Sequence, residues 1–259
     1  MLRMLLSLPF YLVILYTLSQ KDTSKPLPIK TFYWAVIMGL VGYYMSSLFD
    51  FIGLQYVSAG IERIILFIYP TLAVLINFII FKQPVFKRQW WAIIITYIGI
   101  GIAYWGEMKQ FNNTPLFLYG SLMVLLCGIT YAAYLVGTGK LIPKMGANKY
   151  TSVAMLSATI GIFAHYLITQ DLHLVTQYLN FNSPIFYYII ALALISTVIP
   201  SFLLNTGMQK IGSNDLAIVT SIGPVATLFQ AYLVLHEPFS LLQGFGTLLV
   251  IAGVLMVKK

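Results

Sequence analysis

One carboxylate, Asp50, sits well inside a long apolar run of this chain. Moving a charge from water into hydrocarbon is costly, so an acid at that depth marks a candidate functional site, and proton coupling is the chemistry it would suit. The plainer alternatives are that Asp50 reaches water from the end of its run, or pairs with Arg63. Two prolines, Pro70 and Pro224, fall in the middle of other apolar runs. A mid-helix proline frees a carbonyl and kinks the helix, and such breaks can line a binding site within a membrane. Tyr69, Thr71 and Asn77 lie near the first break, and Thr220, Ser221 and Gln230 near the second. Aromatic and hydroxyl groups together suit a small solute with polar and apolar parts; a tolerated kink closed by helix–helix hydrogen bonds is the simpler reading.

These residues are duplicated in position. Residues 53–103 align without a gap onto 207–257, a constant shift of 154. Gly53, Gln55, Pro70, Pro84, Gln89 and Gly99 fall on Gly207, Gln209, Pro224, Pro238, Gln243 and Gly253. Matches among Leu, Ile and Val carry little weight in so apolar a chain, but matched Pro and Gly fix breaks and close packing points. The same shift puts Asn205 one residue beyond the equivalent of Asp50. Tyr131 and Tyr134 lie one helical turn apart, facing either a cavity or a packed neighbour. The solute-binding candidates are therefore Tyr69, Asn77, Asn205, Ser221 and Tyr131, with Pro70 and Pro224 as helix breaks and Asp50 for proton coupling. Glu62 and Arg63 open a run, where a helix dipole favours the acid and the arginine can extend outward.

The elements that must position these groups are membrane helices. Hydrophobic residues make up 59% of the 259 and charged residues 8%, too few charges to solvate a globule of this size. Nine apolar runs are long enough to cross a bilayer: 2–18, 31–55, 61–81, 89–106, 116–138, 150–169, 184–207, 214–235 and 240–257. The expected fold is all-α, a polytopic bundle of nine transmembrane helices. Alternate loops gather the basic residues, including Lys21, Lys25, Lys82, Lys87, Arg88, Lys140, Lys144, Lys149, Lys210, Lys258 and Lys259. That side is cytoplasmic by the positive-inside rule, which puts the C-terminus inside and explains the net charge of +8. No basic groove remains for nucleic acid. The single cysteine, Cys127, excludes an internal disulfide, and no Cys/His spacing suggests a metal or another cofactor. With a small gap, 2–18 matches 150–169, while 116–138 has no counterpart. Two inverted repeats of four and five helices follow, 1–110 and 111–259, the first lacking its opening helix.

The end of the chain resembles the drug/metabolite transporter superfamily, specifically EamA-type transporters. The residues concerned are His236-Glu237-Pro238, then Gln243-Gly244, Gly246 and Ala252-Gly253-Val254. A weaker copy runs through Gln83-Pro84, Gln89 and Gly99, with Gln83 in place of the usual acid, and Ala59-Gly60-Ile61-Glu62-Arg63 into Tyr69-Pro70 is similar to the fourth helix of the first repeat. The resemblance implies a multi-pass carrier of the bacterial inner membrane. It would move small metabolites or drugs, commonly outward, by alternating access, with the solute path between the two halves. A small-molecule solute, membrane lipid and a second copy of the chain are the partners to expect.

A membrane-embedded enzyme would need clustered catalytic groups, but the seven acids are scattered and His165, His173 and His236 stand apart. A non-transporting subunit is the other rival, and would give flux only beside its partner. The basic loops predict that a cysteine added after Lys259 reacts with an impermeant maleimide only once cells are permeabilised; labelling of intact cells would reverse the topology.

Overall fold

The computed structural model describes residues 1–21, 28–82, 87–110, 115–169, 184–220, 230, 233–234 and 240–256. Among these, α1 (Leu2–Lys21), α2 (Ile29–Gly39), α3 (Ser46–Gly53), α4 (Ala59–Leu66), α5 (Tyr69–Phe81) and α6 (Lys87–Gln110) come from the first half of the chain. They are followed by α7 (Pro115–Met145), α8 (Ala147–Thr169), α9 (Pro184–Ala193), α10 (Ile199–Thr220) and α11 (Leu241–Met256). Six described stretches are long and apolar enough to cross a bilayer: Leu2–Gln20, Ile29–Gly53, Ala59–Phe81, Pro115–Met145, Ala147–Thr169 and Ile185–Lys210. Trp90–Ala103 and Leu241–Gly253 are shorter apolar helices. Eight of the nine expected runs fall on these elements. Most of the remaining one, 214–235, lies outside the described residues.

Large apolar side chains point outward along the helices, among them Tyr16, Ile79, Ile168, Tyr188, Ile195 and Leu248. In water such faces would associate; in lipid they are solvated, and the helical backbone satisfies its own polar groups.

Two π-helical turns interrupt the described runs. Leu40–Met45 joins α2 to α3 as a π-helical turn, and Leu194–Val198 does the same between α9 and α10. The shift of 154 that relates the sequence repeats carries Leu40 onto Leu194. The chain leaves the helix after Gly53, and Ser58 caps α4 by accepting from the Ile61 N–H at 3.2 Å. At the equivalent point of the second copy α10 instead runs on to Thr220, so the expected turn between 207 and 214 is absent. Met208, Gln209 and Lys210 are good helix formers, and they continue the helix where the first copy turns.

The residues gather into two compact units, each drawing on both halves of the sequence. The first holds residues 1–44 and 137–212. In it α1 and α2 pack on α8, around Met4, Tyr11, Met155, Ala158 and Val198. Ser157 donates to the Val36 carbonyl at 3.1 Å, and Tyr11 and Ser201 share a hydroxyl hydrogen bond at 3.0 Å.

The second unit holds residues 45–136 and 213–259, with a core of Val57, Ile61, Ile64, Ile65, Ala103, Phe117 and Val124. Its most extensive helix pair is α6 with α11. A Cβ built on Gly99 would lie 2.6 Å from the Gly246 carbonyl oxygen, so the backbones touch there and only glycine fits. Further along the seam Gly253 meets Thr96 and the Ala92 carbonyl. As α6 descends from 99 to 92, α11 ascends from 246 to 253, so the helices run antiparallel. The shift of 154 exchanges the two contacts, taking Gly99 to Gly253 and Ala92 to Gly246. Each contact is thus the counterpart of the other under that shift.

Gly99→Leu should therefore lower the melting temperature of the detergent-solubilised protein, by an overpacking cost of about 1–3 kcal/mol. Gly101→Leu, where an added Cβ meets nothing within 4 Å, should leave it unchanged. Equal effects from the two substitutions would mean that the seam is not closely packed.

Candidate functional site

The stretch Ala59–Phe81 is one membrane span built as two helices. α4 ends as Phe67 donates its N–H to Arg63 and Ile68 donates to Ile65, a tighter final turn. Pro70 then lies in the first turn of α5, where its missing N–H costs least. The sequence suggested a kink at the proline itself. The break instead falls just before it, at Phe67 and Ile68. Pro70 also leaves the Leu66 carbonyl without its normal helical donor. Thr71 donates its hydroxyl at 2.7 Å to the Ile68 carbonyl, which also accepts from the Leu72 N–H. Gly128 of α7 lies against Ile68, letting α7 approach the break.

Aromatic rings gather at this break. Tyr69 meets Tyr131 of α7 edge to face, with centroids 5.1 Å apart, and Phe67 packs against Tyr69 at 5.7 Å. Tyr134 stacks on Tyr131 at 5.9 Å and is itself fully buried. Tyr69 and Tyr131 are only partly buried. Two of the sequence candidates, from helices far apart in the chain, thus share one contact.

A polar cluster in the same unit joins α3, α4 and α7. Ser46 and Asp50 are one turn apart on α3, and the Ser46 hydroxyl lies 3.1 Å from the Cys127 sulfur of α7. Glu62 is 1% exposed, and its Oε2 pairs with Arg63 Nε at 3.0 Å, while Arg63 is 45% exposed. The Asp50 and Glu62 carboxyl groups lie within hydrogen-bonding reach of each other. Asp50 Oδ1 and Glu62 Oε1 are buried and meet no donor among the described residues. Arg63, offered from the sequence as a partner for Asp50, is bonded to Glu62 instead. Sequence position had assigned Glu62 to a helix end; it is in the first turn of α4, but folded inward. Its spacing of twelve residues from Asp50, across one turn, was the available signal.

The other candidates lie elsewhere. Asn77 is partly buried on α5, two turns past Pro70, and its carbonyl accepts from the Lys82 N–H that ends the helix. Asn205 belongs to the first unit, fully buried, donating its amide to Thr151 Oγ1 at 2.9 Å. Ser221 and Pro224 lie outside the described residues. His165 is hydrogen-bonded through Nδ1 to the Tyr44 hydroxyl at 2.8 Å. Among the described residues no three His, Cys, Asp or Glu side chains gather to hold a metal.

Residues 1–105 and 118–258 each match the EamA-like transporter family. The chain belongs to this family. It is a multi-pass membrane transporter, and similar curated proteins carry the same general description. Uncharacterized transporter YcbK of Bacillus subtilis is 29% identical over 250 residues, spanning 94% of this chain and 77% of the relative. Uncharacterized transporter YyaM of the same species is 26% identical, spanning 85% of this chain and 71% of the relative. A protein of Archaeoglobus fulgidus, also described as an uncharacterized transporter, is 22% identical over 86% of this chain and 76% of its own length. One solved crystal structure superposes with a TM-score of 0.68 at 14% identity, over 99% of this chain and 87% of that one, a likeness of fold.

Cys127 is buried against Ser46, so it should resist a membrane-permeant maleimide in native membranes and react once the protein is denatured in dodecyl sulfate. Rapid labelling before denaturation would mean that the cluster is open.

Proposed function

We propose that this EamA-family chain is a secondary-active exporter of small metabolites or drugs, working by alternating access in the bacterial inner membrane with its C-terminus in the cytoplasm. The outward direction rests on the resemblance of its motifs, and the orientation on the basic loops. The repeats, 1–110 and 111–259, are proposed to be inverted copies. The paired family matches support that division, as do the π-helical turns at equivalent positions and the counterpart contacts of α6 with α11.

The observation that carries the solute site is the broken span with Tyr69 at its break, in contact with Tyr131. An interrupted membrane helix offers unpaired carbonyls, and two partly buried tyrosines offer ring faces and hydroxyls. That combination suits a solute of metabolite size with one apolar part. Asn77 extends the polar lining along α5. Asn205, Ser221 and Pro224 are assigned on their sequence positions alone. Asp50 is the proposed proton-coupling acid.

Metabolite profiling of the medium around cells overproducing the chain should reveal the exported solute, and counterflow in proteoliposomes should give its apparent affinity. Tyr69→Ala should weaken that affinity by roughly three- to tenfold, the loss of one aromatic contact, with membrane expression intact. Tyr131→Ala should do the same, while outward-facing Tyr188→Ala should not. Unchanged affinity in both site variants would sink the proposed site, and no solute flux in vesicles would sink the carrier reading.

A further inference from the structure

We propose that Asp50 and Glu62 hold one exchangeable proton between them, forming a carboxyl pair that is the ion site of this protein. The turn at residues 54–58 folds α4 back beside α3 and brings the two side chains together from positions twelve apart. Asp50 Oδ1 and Glu62 Oε1 are both buried, and neither meets a donor among the described residues. The two carboxyl groups lie within hydrogen-bonding reach of each other, and carboxylates so placed repel unless one carries a proton and donates to the other. Leaving them bare in an apolar span would carry the full desolvation penalty for each.

Charge gives the same stoichiometry. The groups facing the pair are Arg63, on α4 itself, and Cys127 of α7, whose thiol is engaged with Ser46 on α3. α6 also packs on α4 but brings no charged group to the pair among the described residues. Two carboxylates and one guanidinium leave one negative charge, and one proton cancels it. A metal cation fits poorly, because it needs more oxygen ligands than two carboxyls supply and would face the guanidinium. Release to water leaves two carboxylates and a hydronium ion. Glu62 then keeps its bond to Arg63, and Asp50 is left as the uncompensated charge, a difference the protein can couple to movement of the broken span that follows.

The inference deepens the carrier reading, and the word ion site rests on it, but proton binding can be measured without any solute. Dicyclohexylcarbodiimide attacks protonated carboxyls in apolar surroundings. With the full chain in lipid nanodiscs, mass spectrometry should find one adduct, mapping to Asp50 or Glu62 and lost as the pH is raised. The Asp50→Asn/Glu62→Gln double variant, checked for folding by size-exclusion chromatography, should show none. Infrared difference spectra of the unmodified protein between low and high pH should show the loss of one carboxylic acid C=O band, insensitive to sodium at fixed pH. The proposal is overturned by adducts confined to other acids, by no adduct and no band in folded protein at any pH, or by a band that sodium displaces. A chain that labels as expected yet moves no solute keeps the proton site and discards the carrier; one that transports without labelling does the reverse.

Discussion

The constraint on which everything else depends is that a chain with an apolar exterior has no water to satisfy its polar groups. Most hydroxyls meet it locally. Thr96, Thr130, Thr151, Thr159 and Thr247 each donate back to a carbonyl one turn earlier on their own helix, at 2.7–3.0 Å. These bonds cost no interhelical specificity and leave the helix face apolar. The few polar contacts that cross between helices therefore stand out. Tyr11 with Ser201, Thr138 with Tyr150, and Asn205 with Thr151 tie the first unit together. Ser46 with Cys127 ties α3 to α7 in the second. Among the described residues, buried oxygens of Asp50, Glu62 and Ser152 are left unanswered, and of these the two acids draw a functional reading.

Close packing answers the same constraint by other means. Lipid tails are as apolar as leucine, so helices gain little from hydrophobic burial and associate where backbones can approach. Gly99 and Gly246 provide that approach between α6 and α11, and Gly39 provides it for α2 against the Ala154 backbone. α6 packs on α4, and α7 comes close to the break at Gly128. Tyr131 of α7 meets Tyr69 there, at a point where the backbone is itself irregular.

Much of this was legible in the order of residues. Composition and run length determine a membrane helix bundle, because hydrocarbon admits little else, and Gly99, Gly253 and Pro70 already mark a close contact and a break. The break near Pro70 could be read from type and position alone. Partnerships could not. Whether Arg63 meets Asp50 or Glu62 depends on how the turn after Gly53 folds, and sequence carries no periodic signal for that turn. Tyr69 and Tyr131 share a contact because α7 reaches the break, a matter of helix packing across sixty-two residues. Glu62 looks like an ordinary helix-end acid in one dimension; only the tertiary fold turns it inward, with one oxygen on Arg63 and the other buried with no donor among the described residues.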